Sequence, residues 1–169
     1  MKLKSVYNLK ELVSLKKKFH WSKYIADLSY FHNNLIPDNC FKSDNGLVKI
    51  IGSTELEVVG TSAFEMCTSL DYVDAQIGAI NKRAFANCGN LKEFNFKNTT
   101  FIDKEAFIGS GLKSIRLEKC ETISEYAFAD CFCLSNVILK NVKHIKDFAF
   151  QNASIQKIII PSTVIFSFA

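Results

Sequence analysis

Apolar positions recur along this chain with a period near 21 residues, a spacing longer than helix or strand alternation produces. The dipeptide Ala-Phe stands at Ala63-Phe64, Ala84-Phe85, Ala106-Phe107, Ala127-Phe128 and Ala149-Phe150, with Phe-to-Phe intervals of 21, 22, 21 and 22 residues. Five residues before each Phe is a β-branched aliphatic: Val59, Ile80, Ile102, Ile123 and Ile145. Three residues after it is a small side chain: Cys67, Cys88, Ser110, Cys131 and Ala153. Then Leu70, Leu91, Leu112, Leu134 or Ile155 opens a run with apolar residues three and five positions on, such as Ile115 and Leu117 or Val137 and Leu139. A degenerate copy precedes these, with Ile36, Cys40-Phe41, Leu47 and Ile50 in the same columns.

A unit this short cannot bury a face by itself and must stack on its neighbours. The Leu-x-x-Ile-x-Leu segment alternates as a strand does, so stacked copies predict one parallel sheet of short strands about 4.8 Å apart. The Ala-Phe segment predicts a spine of stacked rings, Phe41, Phe64, Phe85, Phe107, Phe128 and Phe150, each worth about 1.5–3 kcal/mol on burial. Residues 36–169 therefore read as a solenoid of about six units of 21–23 residues, the last incomplete. Residues 1–35 read as an N-terminal cap. Within them Val6, Leu9 and Val13, then Tyr24, Leu28, Phe31 and Leu35, recur at three- and four-residue steps and predict short amphipathic helices. The alternative is a degenerate repeat through Phe19, Ile25, Leu28 and Tyr30; Trp21 is expected to help seal this end. At the other end the period puts the next Ala-Phe pair beyond Ala169. Ile165, Phe166 and Phe168 are then expected to fold back over the last turn, unless a partner covers that end or the chain is truncated there.

The pattern resembles the BspA-like, or treponemal-type, leucine-rich repeat, whose unit reads roughly I-x-x-x-A-F-x-x-C-x-x-L-x-x-I-x-I-P. Residues Ile80 to Phe96 follow it closely, as do Ile123 to Leu139, and Pro161 after Ile160 supplies the terminal proline once. The resemblance covers residues 36–165. It implies a right-handed α/β-type repeat array that binds proteins on its concave strand face, and adhesion or host binding at a cell surface, since many relatives are exported. Most units here lack the proline, and the intervals are a residue or two short.

Composition adds little to the architecture but narrows function. The chain is 169 residues long, 48% hydrophobic and 22% charged, ordinary for a folded protein. Its 15 Phe against one Trp and five Tyr reflect the spine and the strand residues Phe94 and Phe96. The net charge of +4 is confined to residues 1–35, where seven Lys face only Glu11 and Asp27; the remainder is nearly neutral. A broad nucleic-acid-binding surface is not expected. Lys16, Lys17 and Lys18 beside Phe19, His20 and Trp21 form the one basic-aromatic cluster, read as a solvated helix end or as a contact for anionic lipid, nucleic acid or an acidic partner. No apolar run approaches the length of a membrane span, and charges interrupt the first 15 residues, so classical export is not expected and an intracellular location is favoured over the cell surface.

Candidate chemistry is sparse. Because Ser110 and Ala153 share the column of Cys67, Cys88 and Cys131, these thiols read as buried and free, although adjacent turns place Cys67 and Cys88 within disulfide reach. Cys131-Phe132-Cys133 lacks the spacing of common zinc sites, and His20 and His32 lack that of a metal-binding helix face. Cys120, in a loop, is expected to be partly exposed. His144 reads as a surface loop residue, and the two fall in different columns, which argues against a nucleophile–base pair. No metal, cofactor or catalytic residue is predicted, and the protein is expected not to be an enzyme.

What remains is a display surface. Strand residues that do not face the core form rows, and the candidate partner-binding set is Tyr72, Asp74, Glu93, Asn95, Ser114, Arg116, Asn136, Ile138, Lys157 and Ile159. Tyr and Arg are enriched among binding hot spots. The expected function is a protein-interaction module, with self-association through the C-terminal turn as a further possibility.

Overall fold

The computed structural model describes residues 1–5, 7–8, 10–11, 13–14 and 23–167. Every strand pairs parallel with a strand one turn away. In chain order these are β1 (Lys2–Ser5), β2 (Tyr24–Asp27), β3 (Leu35–Ile36), β4 (Leu47–Val59), β5 (Tyr72–Ile80), β6 (Glu93–Phe94), β7 (Phe101–Ile102), β8 (Ser114–Leu117), β9 (Thr122–Ile123), β10 (Asn136–Leu139), β11 (His144–Ile145), β12 (Lys157–Ile159) and β13 (Ile165–Phe166). The segments predicted as strands from the Leu-x-x-Ile-x-Leu pattern, the first halves of β4 and β5, β6, β8, β10 and β12, form a front ladder, which β1 and β2, outside that pattern, extend.

The aliphatic column forms a second ladder. Ile36, Val59, Ile80, Ile102, Ile123, Ile145 and Phe166 lie in register across β3, the ends of β4 and β5, β7, β9, β11 and β13. The expectation of one sheet thus understates the hydrogen bonding: β4 and β5 run unbroken from the front ladder to the back one and join them. Gly52, at φ +150°, lets the long β4 pass the preceding coil, because a Cβ there would lie 2.7 Å from the Leu28 carbonyl carbon.

The third side of each coil carries the Phe spine. Adjacent rings of Phe41, Phe64, Phe85, Phe107, Phe128 and Phe150 stack at 5.0–5.4 Å with planes within 9° of parallel. All but Phe150 are buried. The small residue before each Phe allows its backbone to approach the next coil, and the N–H of each Phe from Phe41 to Phe128 donates to the next Ala carbonyl, as Phe64 does to Ala84 at 2.8 Å. Two residues on either side of the Phe make this possible by adopting left-handed backbone: Ser62 and Met66, Arg83 and Asn87, Glu105 and Gly109, Tyr126 and Asp130, Phe148 and Asn152. Only one of these ten is glycine, so the low glycine count reflects strained L-residues at the turns rather than different turns.

Residues 24–35 depart from the helical expectation. Tyr24–Asp27 is β2, and Tyr24 and Ala26 face the core with Leu28 and Phe31. Of the degenerate-repeat alignment, Leu28 lies in the core, Ile25 is half-buried and Tyr30 is exposed. A short segment with apolar residues at both two- and four-residue steps fits either element, and pairing with β4 decides for the strand. The core runs without interruption from Tyr24 through Ile36 and Phe41 to the later coils. Helical geometry among the described residues is confined to residues 10–11 and 13–14, so the helical cap is not shown; Lys16 to Trp21 and Phe168 lie outside the described residues. Ile165 and Phe166 do not fold back over the last turn. They extend the back ladder from His144 and Ile145 and remain exposed.

Candidate functional site

The front ladder holds its outward side chains in rows, because register fixes one residue per coil at each level. Lys49, Tyr72 and Glu93 are aligned, as are Ser114, Asn136 and Lys157, and Arg116 and Ile138 stand in line with Ile159. The structure brings the ten predicted residues together as two groups on one face. In the first, Lys49 Nζ lies 5.3 Å from the centroid of the Tyr72 ring, Tyr72 Oη donates to Asp74 at 3.3 Å, and Asn95 Nδ2 donates to Asp74 at 2.8 Å. Partial burial first, and the Asp74 carboxylate second, raise the Tyr72 phenol above its usual range, so it stays a neutral donor.

In the second group Arg116 Nε donates to Glu118 at 2.8 Å. Beside it a shallow depression of about 400 Å³ is lined by Arg116, Ile138, Lys140, Ile159, Ile160 and Pro161. Ser114, Asn136 and Lys157 stand exposed two residues earlier on the same three strands. Between the groups the front ladder is interrupted, since β6 pairs only with β5 and β8 only with β10. Lys97 and Glu118 flank this interruption; both continue the outward rows and were legible as such in the alternation.

The cysteines are structural. Cys67, Cys88 and Cys131 donate their thiol hydrogens to the carbonyls of Phe41, Phe64 and Phe107, one coil back, at 3.0, 3.1 and 3.2 Å. Burial pushes the Cys88 thiol up to about 12 and the Cys131 thiol up to about 11, which suppresses the thiolate. Cys120 differs from expectation: it is buried, donates to the Thr122 carbonyl at 3.1 Å, and burial raises its thiol to about 11. His144 is an outward residue of β11 rather than of a loop. The six cysteines are thiols rather than disulfides, and Cys133 is the exposed one. No cluster of His, Cys, Asp and Glu able to hold a metal occurs among the described residues.

Two surface features escaped the sequence pattern. Phe132 is 66% exposed and stands where other coils carry Thr68, Gly89, Gly111 and Ser154. It borders a depression of about 600 Å³ floored by Gly89, Gly109 and Gly111. On the back ladder Leu35, Val58, Ala79 and Phe101 form an outward apolar row. A hydrophobe in a column otherwise small or polar was the available signal for Phe132.

Among the described residues no helix is long and apolar enough to cross a membrane. No curated protein matches the chain. Three solved structures are similar. A leucine rich cell surface protein from Faecalibacterium prausnitzii is 27% identical with a TM-score of 0.71, over 78% of this chain and 38% of that one. A leucine-rich repeat protein from Bacteroides ovatus is 22% identical with a TM-score of 0.59, over 77% and 42%. The T. pallidum leucine rich repeat protein is 21% identical with a TM-score of 0.67, over 79% and 72%. This chain therefore spans about two fifths of the length of the first two. The BspA type leucine rich repeat region matches residues 34–78 and 72–167 in six copies, and with the Phe spine and the twin ladders that match settles the assignment: the chain belongs to the BspA-type leucine-rich repeat family.

Proposed function

We propose that the chain is a non-enzymatic interaction module that binds a protein partner through the outward rows of its front ladder. The observation that carries this is the fixed alignment of Tyr72, Asp74, Glu93 and Asn95 beside Ser114, Arg116, Asn136, Ile138, Lys157 and Ile159 on one parallel face. None of these side chains supports the core, so their arrangement is free to serve recognition, and Tyr and Arg are the types that dominate binding energy. The test is a partner isolated by cross-linking and then bound to purified variants. Tyr72→Ala with Arg116→Ala is expected to abolish capture while thermal unfolding is unchanged; full retention of binding would sink the front-face reading.

Similarity to a cell surface protein supports display outside the cell as the setting for such binding. Protease accessibility on intact cells distinguishes this from a cytosolic scaffold. A second reading follows from the last described coil, where Ile158, Ile159, Ile160, Ile165 and Phe166 are all exposed. Stacking of a second copy on β12 and β13 would cover them, and light scattering showing a strict monomer at high concentration removes that reading.

A further inference from the structure

The interruption of the front ladder coincides with the coil that carries Phe94 and Phe96, where the coils on either side carry Val, Ala, Ile and Leu. The two rings lie 4.5 Å apart and meet Phe107 edge-on at 5.1 and 5.3 Å. No ladder joins β6 to β8, and a groove of about 430 Å³ lies there over these rings. Phe94 is only partly buried and supplies an aromatic floor. Lys97 and Arg116 stand exposed at its rim, with Glu118 beside them.

The charges at this rim do not balance. The hydrogen bond from Arg116, with Lys140 and Lys97 nearby, draws the Glu118 carboxyl below its ordinary range. At the groove itself two cations, Lys97 and Arg116, face one carboxylate, Glu118. The Arg116–Glu118 pair joins β8 to the residue just beyond its end, with the side chains 52% and 42% exposed, so exchanging Glu118 for an incoming carboxylate costs little. On the opposite flank Asp74 and Glu93 are acidic and exposed.

We propose that this groove binds an extended peptide segment of a protein partner, with an apolar side chain on Phe94 and an adjacent Asp or Glu carboxylate held by Lys97 and Arg116. The inference rests on the front face being the binding face and narrows what that face takes. An extended segment suits a gap flanked by strands on both sides. A long polyanion does not suit it, because Asp74 and Glu93 on the adjoining strands repel phosphates.

The experiment selects a displayed library of linear octapeptides on the full chain, then measures fluorescein-labelled winners by anisotropy. Enriched peptides are expected to pair an acidic residue with an aliphatic or aromatic neighbour. Lys97→Glu with Arg116→Glu is expected to weaken them about tenfold, with Lys97→Gln and Arg116→Gln as the milder variant should the reversal disturb folding. Glu118→Gln is expected to tighten them about twofold, and Lys82→Glu, on the turn side, to leave them unchanged. Failure to enrich acidic-apolar pairs, indifference of the winners to the double variant, or equal binding of a labelled single-stranded octanucleotide overturns the proposal. A cross-linked partner still lost on Tyr72→Ala with Arg116→Ala, in the face of such a failure, would keep the front-face reading and remove only the peptide.

Discussion

Replacing Phe107 by Ala tests whether the ring spine holds the array together. Phe107 is fully buried and touches four rings: Phe85 and Phe128 stacked on either side at 5.3 Å, and Phe94 and Phe96 edge-on. A buried Phe→Ala change costs about 3–5 kcal/mol, and ring pairs add about 0.5–1.5 kcal/mol each beyond buried area. The rigid coils on both sides cannot close the cavity, so the cost belongs at the upper end, about 5 kcal/mol. Phe150 supplies the contrast: it is half-buried and, among the described residues, stacks on one ring, Phe128, at 5.4 Å. Phe150→Ala is expected to cost about 1–2 kcal/mol. Urea unfolding followed by circular dichroism reads both. With a slope of about 2 kcal/mol per molar, the midpoint falls by about 2.5 M for Phe107→Ala and by less than about 1 M for Phe150→Ala. The central change is also expected to broaden the transition, because coils on either side of the gap no longer unfold together. Equal losses for the two variants would refute the idea that stacking on both faces of each ring is what stabilises the array.

Three further outcomes follow from other features. Glu65 is buried, and although that burial raises its carboxyl, hydrogen bonds from Arg83, Ser62 and Lys42 overcome it and bring the value down to about 2 from an ordinary 4.5. A lowered carboxyl stabilises the fold fully above the ordinary value and loses that contribution as pH falls from there toward about 2. Arg83→Ala is therefore expected to cost about 2 kcal/mol at neutral pH and to move acid unfolding to higher pH; an unchanged acid limb would show that Arg83 does not hold Glu65. Met66 has φ 60° and is 47% exposed. Met66→Gly is expected to stabilise by about 0.5–1 kcal/mol, read as a melting temperature about 2–4 °C higher, and a lower melting temperature would contradict the strain assigned to that turn. A disulfide-exchange reagent is expected to titrate Cys133 rapidly in the native protein, half-buried Cys40 more slowly, and Cys67, Cys88, Cys120 and Cys131 only after unfolding. Rapid reaction of four or more thiols in the native protein would contradict the burial.

The repeat was legible because each column repeats one side-chain requirement: a ring at Phe64 or Phe128, a β-branched aliphatic at Ile80 or Ile123, a small group at Cys88 or Ser110. What the pattern could not show was backbone. Arg83, Glu105, Tyr126 and Phe148 share a left-handed conformation but no chemistry, so nothing in their identities announced it. The back ladder was hidden for a related reason, since two-residue strands such as Ile102 with Phe101 are too short to alternate. The Cys column read as small, yet Sγ also donates to a Phe carbonyl, a role Ser110 can share and Ala153 cannot. The outward rows were readable from strand alternation alone. The groove between them was not, because it depends on a break in pairing between β6 and β8 that the side-chain pattern does not mark.

The hydrogen bonds that run from coil to coil, Phe64 to Ala84 and Phe85 to Ala106 among them, all lie along the stacking direction. Tension applied at the two ends of the solenoid would therefore load every ladder lengthwise and peel coils off singly from an end, rather than shearing the whole array at once. Each released coil of 21 or 22 residues would add about 75 Å of slack. A molecule built this way yields in small equal steps and would extend under pull while the coils further in, with their front rows, remained intact.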